Sequence, residues 1–69
     1  MVIFEYDKEA DAAYIYLKYP IKEGEAKKTI ALNDNIVLDF NQDQKLIGVE
    51  VLSASRVLSR KVLAEAKAV

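Results

Sequence analysis

Residues 36–52 read Ile-Val-Leu-Asp-Phe-Asn-Gln-Asp-Gln-Lys-Leu-Ile-Gly-Val-Glu-Val-Leu, and they contain the clearest strand signals of the chain. Its first five and last seven residues are mostly β-branched, aliphatic or aromatic, and the five residues between them are polar. Because side chains alternate along a strand, Leu38 and Phe40 share one face, whereas Asp39 and Glu50 point to the other. The stretch therefore predicts two strands joined by a five-residue loop.

A second hairpin is predicted at the N-terminus. Residues 2–6 favour a strand, the polar residues 7–11 favour a turn, and residues 12–18 alternate again. In the alternating segment Ala13 and Ile15 lie on one face, and Tyr14 and Tyr16 lie on the other. The Pro, Gly and charges of residues 19–26 indicate a loop. Residues 27–32 favour a weaker strand, and 33–35 (Asn-Asp-Asn) favour a turn.

The C-terminal residues change from a period of two to a period near four. Ser53 or Ser55 suits the start of a helix over about residues 55–68, which is rich in Ala, Leu, Lys, Arg and Glu. The predicted fold is therefore α+β: a small antiparallel, meander-like sheet of about five strands spanning residues 2–52, with one C-terminal helix packed on a face. No linker or repeat interrupts the chain, so residues 1–69 form a single domain.

Composition narrows the classes of function. The chain has no Cys and no His, so it lacks disulfides, thiolate metal ligands and the commonest general base near neutral pH. Ten Lys and Arg residues balance eleven Asp and Glu residues, which argues against a chain held on nucleic acid by its overall charge. The N-terminus is not typical of a secretory signal, and no apolar run is long enough to span a membrane. These features predict a cytoplasmic protein.

Self-association is expected because a domain of this size buries only about 60% of its unfolded surface. A tyrosine-bearing sheet face with few charges is typical of partner surfaces. The alternative is that the rings only shelter the outer side of the sheet. The expected interface combines that face with the helix tail: Tyr14, Tyr16, Val62, Ala66 and Val69.

Charged side chains suggest two weaker alternatives. Arg56, Arg60 and Lys61 on the helix suggest contact with a phosphate backbone, or simply a solvated helix face. Two sets of acids, Asp7/Glu9/Asp11 and Asp39/Glu50, suggest a carboxylate metal site or an acid–base pair, or else a polar turn and solvated strand charges. The first set lacks the Gly and Glu of a calcium loop. We therefore expect no catalytic residue, no bound metal and no cofactor.

Residues 6–15 (Tyr-Asp-Lys-Glu-Ala-Asp-Ala-Ala-Tyr-Ile) resemble the opening signature Tyr-Asp-x-Glu-Ala-Asp-Ala-x-Tyr-Ile of a prokaryotic family, domain of unknown function 2283. Residues 36–40 and 46–55 resemble its later strands and its Ala-Ser helix start. Lys8 is a departure, since the family often has Pro there. The resemblance implies a small sheet-plus-helix module without catalytic residues. It also suggests an antitoxin-like or regulatory partner, because some members are thought to lie beside small toxin-like proteins.

These observations predict a non-enzymatic interaction module that forms a homo-oligomer, most simply a dimer, and that binds a second small protein. A nucleic-acid-linked regulator is the alternative, followed by a carboxylate metal-binding protein.

Overall fold

The computed structural model describes all residues from 1 to 69 and has an α+β fold, as predicted. The chain forms a six-stranded sheet, and two short helices lie between its fifth and sixth strands in the chain. Neither helix is long or apolar enough to cross a membrane. The elements in chain order are β1 (Ile3–Asp7), β2 (Ala12–Tyr16), β3 (Lys28–Ala31), β4 (Ile36–Phe40), β5 (Leu46–Leu52), α1 (Ala54–Val57), α2 (Arg60–Ala64) and β6 (Lys67–Ala68).

The sheet joins the two predicted hairpins side by side. Its strand order is β3-β4-β5-β2-β1-β6, and every neighbouring pair is antiparallel except β1 with β6. The hairpins meet where Ala13 of β2 lies opposite Val51 of β5. The connection from β2 therefore passes the ends of β5 and β4 and leads to β3, which is the outermost strand on that side of the sheet.

The single helix predicted over about 55–68 is wrong, because the segment breaks at Leu58 and Ser59. Leu58 is extended, with φ −105° and ψ 144°. Ser59 then caps α2, since its side-chain oxygen accepts a hydrogen bond from the Val62 amide at 3.2 Å. The break lets both Leu58 and Leu63 pack against the core. Residues 67–68 instead form β6, which satisfies the backbone groups at the free edge of β1.

The core is small and lies on one side of the sheet. Ala13, Val51 and Ala54 form its centre, and Leu58 and Leu63 cover it from the helices. Only five of the 69 residues are buried, and the largest of them is an isoleucine: Ala13, Ile47, Gly48, Val51 and Ala54. The helices therefore cover β1, β2 and β5 around Ala13 and Val51. Tyr14 and Tyr16 lie on the opposite face, as the alternation predicted.

Candidate functional site

On the face opposite the helices, Tyr14 links the two hairpins. Its hydroxyl donates a hydrogen bond to Oδ2 of Asp39 at 2.6 Å, and the hydroxyl of Thr29 donates to Oδ1 of the same carboxylate at 2.6 Å. The three residues lie on β2, β4 and β3, so one carboxylate connects both halves of the sheet. Asp39 and Glu50 share this face, as predicted, but Asp39 is bonded to hydroxyl groups and not to Glu50.

Gly48 makes room for this contact. A Cβ at this position would lie 2.1 Å from the Tyr14 hydroxyl oxygen and 2.7 Å from Cζ of the same ring. Gly48 is buried and, unlike Gly24, does not have a positive φ, so the nearby ring is what excludes a side chain there. Glycine at this position thus belongs to the Tyr14 site and not to a turn.

Three tyrosines continue along this face. The ring centroids of Tyr14 and Tyr16 are 4.6 Å apart, and those of Tyr16 and Tyr19 are 5.0 Å apart with an edge-on orientation. Burial, followed by the hydrogen bond to Asp39, raises the pKa of Tyr14 well above its usual range. Burial and the nearby Glu5 carboxylate raise the pKa of Tyr16 as well. Both rings are therefore neutral near pH 7, and neither provides a phenolate nucleophile.

Asp11 is the centre of a second cluster, which ties the first hairpin to α1. Its carboxylate accepts hydrogen bonds from the Tyr6 hydroxyl at 2.7 Å, the Ser55 amide at 3.0 Å and the Ser55 hydroxyl at 2.8 Å. Its own carbonyl accepts from the Ala54 amide at 2.9 Å. Ser53 precedes the helix but makes no side-chain cap, so Asp11 satisfies the helix start from 44 residues away.

The hydrogen bonds to Asp11 explain why the pKa of its carboxyl group is shifted. Those from Tyr6 and Ser55 lower the pKa of the Asp11 carboxyl, and the same contact raises the pKa of Tyr6. The residue also has a positive φ of 51°, which aspartate tolerates better than most residues. Asp11 therefore has a structural role that its position among other acids did not reveal.

The remaining acids of residues 7–11 form a turn. Oδ1 of Asp7 accepts hydrogen bonds from the amides of Glu9 and Ala10 at 3.1 and 3.3 Å, which closes the connection between β1 and β2. No group of three or more carboxylates in the chain is placed to hold a metal ion. The hydrogen bonds of Asp7 are those of a polar turn.

The basic residues considered for phosphate contact lie on different elements. Arg56 is on α1, and Arg60 and Lys61 begin α2, on the far side of the break. All three are exposed. The break at Leu58 and Ser59 removes the continuous helix on which these three residues were predicted to lie.

The helix tail of the predicted interface is divided among α2, the turn after it and the residue that follows β6. Val69 lines a shallow depression of about 180 Å³ together with Tyr14, Glu5 and Glu50. Val62 lies on α2 with 43% of its surface exposed, and Ala66 is half-buried in the turn that leads to β6. Tyr16 contacts Tyr14 and Tyr19.

The sheet face that carries the helices also has an uncovered part, which the sequence reasoning did not single out. Strand register aligns Ile15, Val49, Leu38 and Ile30 in one row across β2, β5, β4 and β3. Phe40 follows Leu38 two residues later on the same face. We call Ile15, Ile30, Leu38 and Phe40 the open apolar face; none is buried, and Ile30 is 39% exposed.

The signal for this surface was present in the sequence, since Leu38 and Phe40 alternate with Asp39. The sequence did not show how far the helices extend, and therefore did not show that Leu38 and Phe40 stay uncovered. A continuous helix over residues 55–68 would be about 20 Å long at 1.5 Å per residue, whereas α1 and α2 have only four and five residues.

Comparison with known proteins shows the family to which the chain belongs. The family model described as "Protein of unknown function (DUF2283)" matches residues 3–55. An uncharacterized protein of Methanocaldococcus jannaschii is 37% identical over 59 residues, which cover 84% of this chain and 46% of the relative. The chain thus spans about half the length of the curated relative it matches. No solved structure matches the chain. The match to the family model covers both hydrogen-bonded clusters and all five antiparallel strands, and the chain belongs to the DUF2283 family of proteins of unknown function.

Proposed function

We propose that this chain is a non-enzymatic interaction module whose working form is a homodimer. The observation that carries the proposal is the accessible surface of 5140 Å². A compact monomer of 7.8 kDa is expected to expose about 4,400 Å². The excess of roughly 700 Å² is close to the area of about 800 Å² that one partner buries in a standard protein interface.

The small core supports the same proposal. Only five residues are buried, although apolar residues make up 52% of the chain. Large hydrophobic side chains remain exposed on the strands and helices, including Ile30, Leu52, Val57 and Val62. A second subunit would add the burial that 69 residues do not achieve alone, because small domains bury a low fraction of their surface.

The absence of an enzymatic role is proposed on chemical grounds. The chain contains no His or Cys, and the carboxylates of Asp11 and Asp39 are bonded to hydroxyl groups. The raised pKa of Tyr14 holds its hydroxyl in the protonated form. These groups have the partners of structural hydrogen bonds and lack the base that would activate a nucleophile.

The test is the mass of the purified chain in solution, measured by sedimentation equilibrium from about 1 µM to about 1 mM, a range that covers weak to moderate affinities. We expect a mass of twice 7.8 kDa at the upper end. A mass of 7.8 kDa at every concentration would contradict the proposal. An antitoxin-like role would require binding to a different protein, and it forms no part of what this measurement tests.

A further inference from the structure

The uncovered part of the sheet is unusually uniform in chemistry. Ile15, Val49, Leu38 and Ile30 form one row across β2, β5, β4 and β3, and Phe40 lies beside Leu38 on the same face, so Val49 joins the open apolar face into one apolar surface. Lys28 shares this face of β3 with Ile30. It lies opposite Phe40, at the rim of the open apolar face. A depression of about 100 Å³ between Lys28, Ile30, Phe40 and Gln44 marks the outer part of the surface. Ile30 is exposed and the other three residues of the open apolar face are half-buried, and apolar surfaces that stay accessible in this way are typical of interfaces.

The opposite face of the sheet is a poorer surface for a partner. Glu5, Asp39 and Glu50 lie there, and the Tyr14 hydroxyl is already bonded to Asp39. Covering that face would remove carboxylates from water, which costs free energy unless each gains a partner. The open apolar face requires no comparable desolvation of charge.

Three observations favour a second copy of this chain as the occupant. The surplus accessible surface matches what one partner of a standard interface buries. The formal net charge is −1, so two copies repel each other only weakly. The helices cover one part of the sheet and leave the adjoining part open, a step-shaped surface that a two-fold axis makes complementary to itself.

The packing distances of sheets and helices fit this step-shaped surface. Two packed sheets lie about 10 Å apart, and helices pack at a similar distance. The partner's sheet would therefore occupy the same layer as α1 and α2, beside them and over the open apolar face. The partner's helices would in turn lie beside the edge strand β3.

We infer that a second copy of this chain packs its open apolar face against the open apolar face of the first, giving a two-fold, sheet-on-sheet dimer. This inference rests on the proposed homodimer and names its interface. It predicts that substitutions on one side of β3 control dimer formation, whereas substitutions on the other side of the same strand do not.

The test uses two matched variants of β3. Ile30 and Ala31 are adjacent, both are exposed, and alternation places them on opposite faces of the sheet. Ile30→Lys places a charge in the inferred interface and should raise the dissociation constant about 30-fold or more, because a lysine there must be removed from water when the dimer forms. Ala31→Lys adds the same charge to the same strand and should leave the dissociation constant unchanged. Sedimentation equilibrium measures both, and circular dichroism checks that each variant is folded.

A second measurement does not depend on a disruptive substitution. Because the chain contains no cysteine, Ile30→Cys and Ala31→Cys each introduce a single thiol. Raising the protein concentration through dimer formation should slow labelling of the thiol at position 30 and leave labelling at position 31 unchanged.

The outcomes separate this inference from the proposed homodimer. A wild-type dimer that Ile30→Lys dissociates and Ala31→Lys preserves supports both. A wild-type dimer that survives Ile30→Lys but dissociates with Ala31→Lys or Tyr16→Ser overturns the inferred surface and keeps the homodimer. A dimer that survives all three variants overturns the surface as well. A wild-type monomer at every concentration overturns both.

Discussion

Replacing Gly48 with alanine is expected to destabilise the fold through Tyr14 and not through the backbone. The new Cβ would lie 2.1 Å from the Tyr14 hydroxyl oxygen and 2.8 Å from Cε1, and a methyl carbon does not approach other atoms closer than about 3 Å. The β5 backbone is held by strand pairing on both sides, so the ring must move. When it moves, its hydroxyl leaves Asp39, to which it is now bonded at 2.6 Å.

The size of the effect follows from two opposing contributions. A hydrogen bond to a charged group contributes about 1.5–3 kcal/mol to the free energy of unfolding. Alanine in a strand costs less conformational entropy than glycine, a gain of about 0.5–1 kcal/mol. The net expectation for Gly48→Ala is a loss of about 1–2 kcal/mol, which for a domain of this size lowers Tm by about 4–8 °C per kcal/mol.

A double-mutant cycle tests this reasoning. Tyr14→Val keeps a strand-forming side chain but is too short to reach Gly48. In that background Gly48→Ala should stabilise the protein by about 0.5–1 kcal/mol, since only the entropic gain remains. Urea unfolding followed by circular dichroism, at one protein concentration for all four proteins, gives a coupling energy expected near 2 kcal/mol. An equal cost of Gly48→Ala in both backgrounds would refute the role of the ring.

Three further perturbations test the Asp11 cluster, the tyrosine face and the cap of α2. The pKa of Asp11 is lowered in the folded state, so its contribution is fully present above the unfolded value of about 3.9 and is lost as pH falls from there through the lower folded pKa. The difference in urea midpoint between wild type and Asp11→Asn should therefore shrink between about pH 5 and pH 2; a constant difference would show that the carboxylate charge does not matter. The pKa of Tyr14 is raised, so its contribution is present below the unfolded value of about 10 and is lost as pH rises towards the folded pKa. The pKa values of Tyr6 and Tyr16 are raised as well, so alkaline titration of tyrosinate absorbance should show Tyr14 as the last group to titrate, and Tyr14→Phe should remove that last step; an unchanged last step would assign it to another tyrosine. Ser59→Ala should cost about 1 kcal/mol, because it removes the cap from the Val62 amide, and should reduce helical circular dichroism; no change in either would contradict the cap.

The sheet could be predicted because its signals are local. Alternation placed Ala13 on the core face and Tyr14 on the other, and the structure has both residues there. The loop at 41–45 and the turn at 33–35 were identified from polar residues, and Asn41 and Asn33 accept the backbone hydrogen bonds that close them. The pairing of β2 with β5 was not predicted, since contacts between distant strands have no signature in either strand alone.

The C-terminal segment could not be predicted from its periodicity. A spacing near four is compatible with a continuous helix, and only the packing of Leu58 and Leu63 favours a break. Ser59 gave a local hint, because serine is a preferred helix cap, but Ser53 and Ser55 gave the same hint. Of these three, Ser59 alone makes a side-chain cap within its own helix.

The two hydrogen-bonded clusters also explain why the family signature predicts fold and is silent on function. Tyr6 and Asp11 of the signature hold Ser55 at the helix start, and Tyr14 of the signature holds Asp39 on β4. The polar groups that would otherwise be candidates for chemistry are thus occupied by contacts between the two hairpins and α1. These contacts fix how the parts of the chain assemble. Most of the surface that they leave accessible is formed by residues outside the signature. The open apolar face lies among those residues, apart from Ile15, so a substitution at Ile30, Leu38 or Phe40 changes that surface without removing any of these contacts.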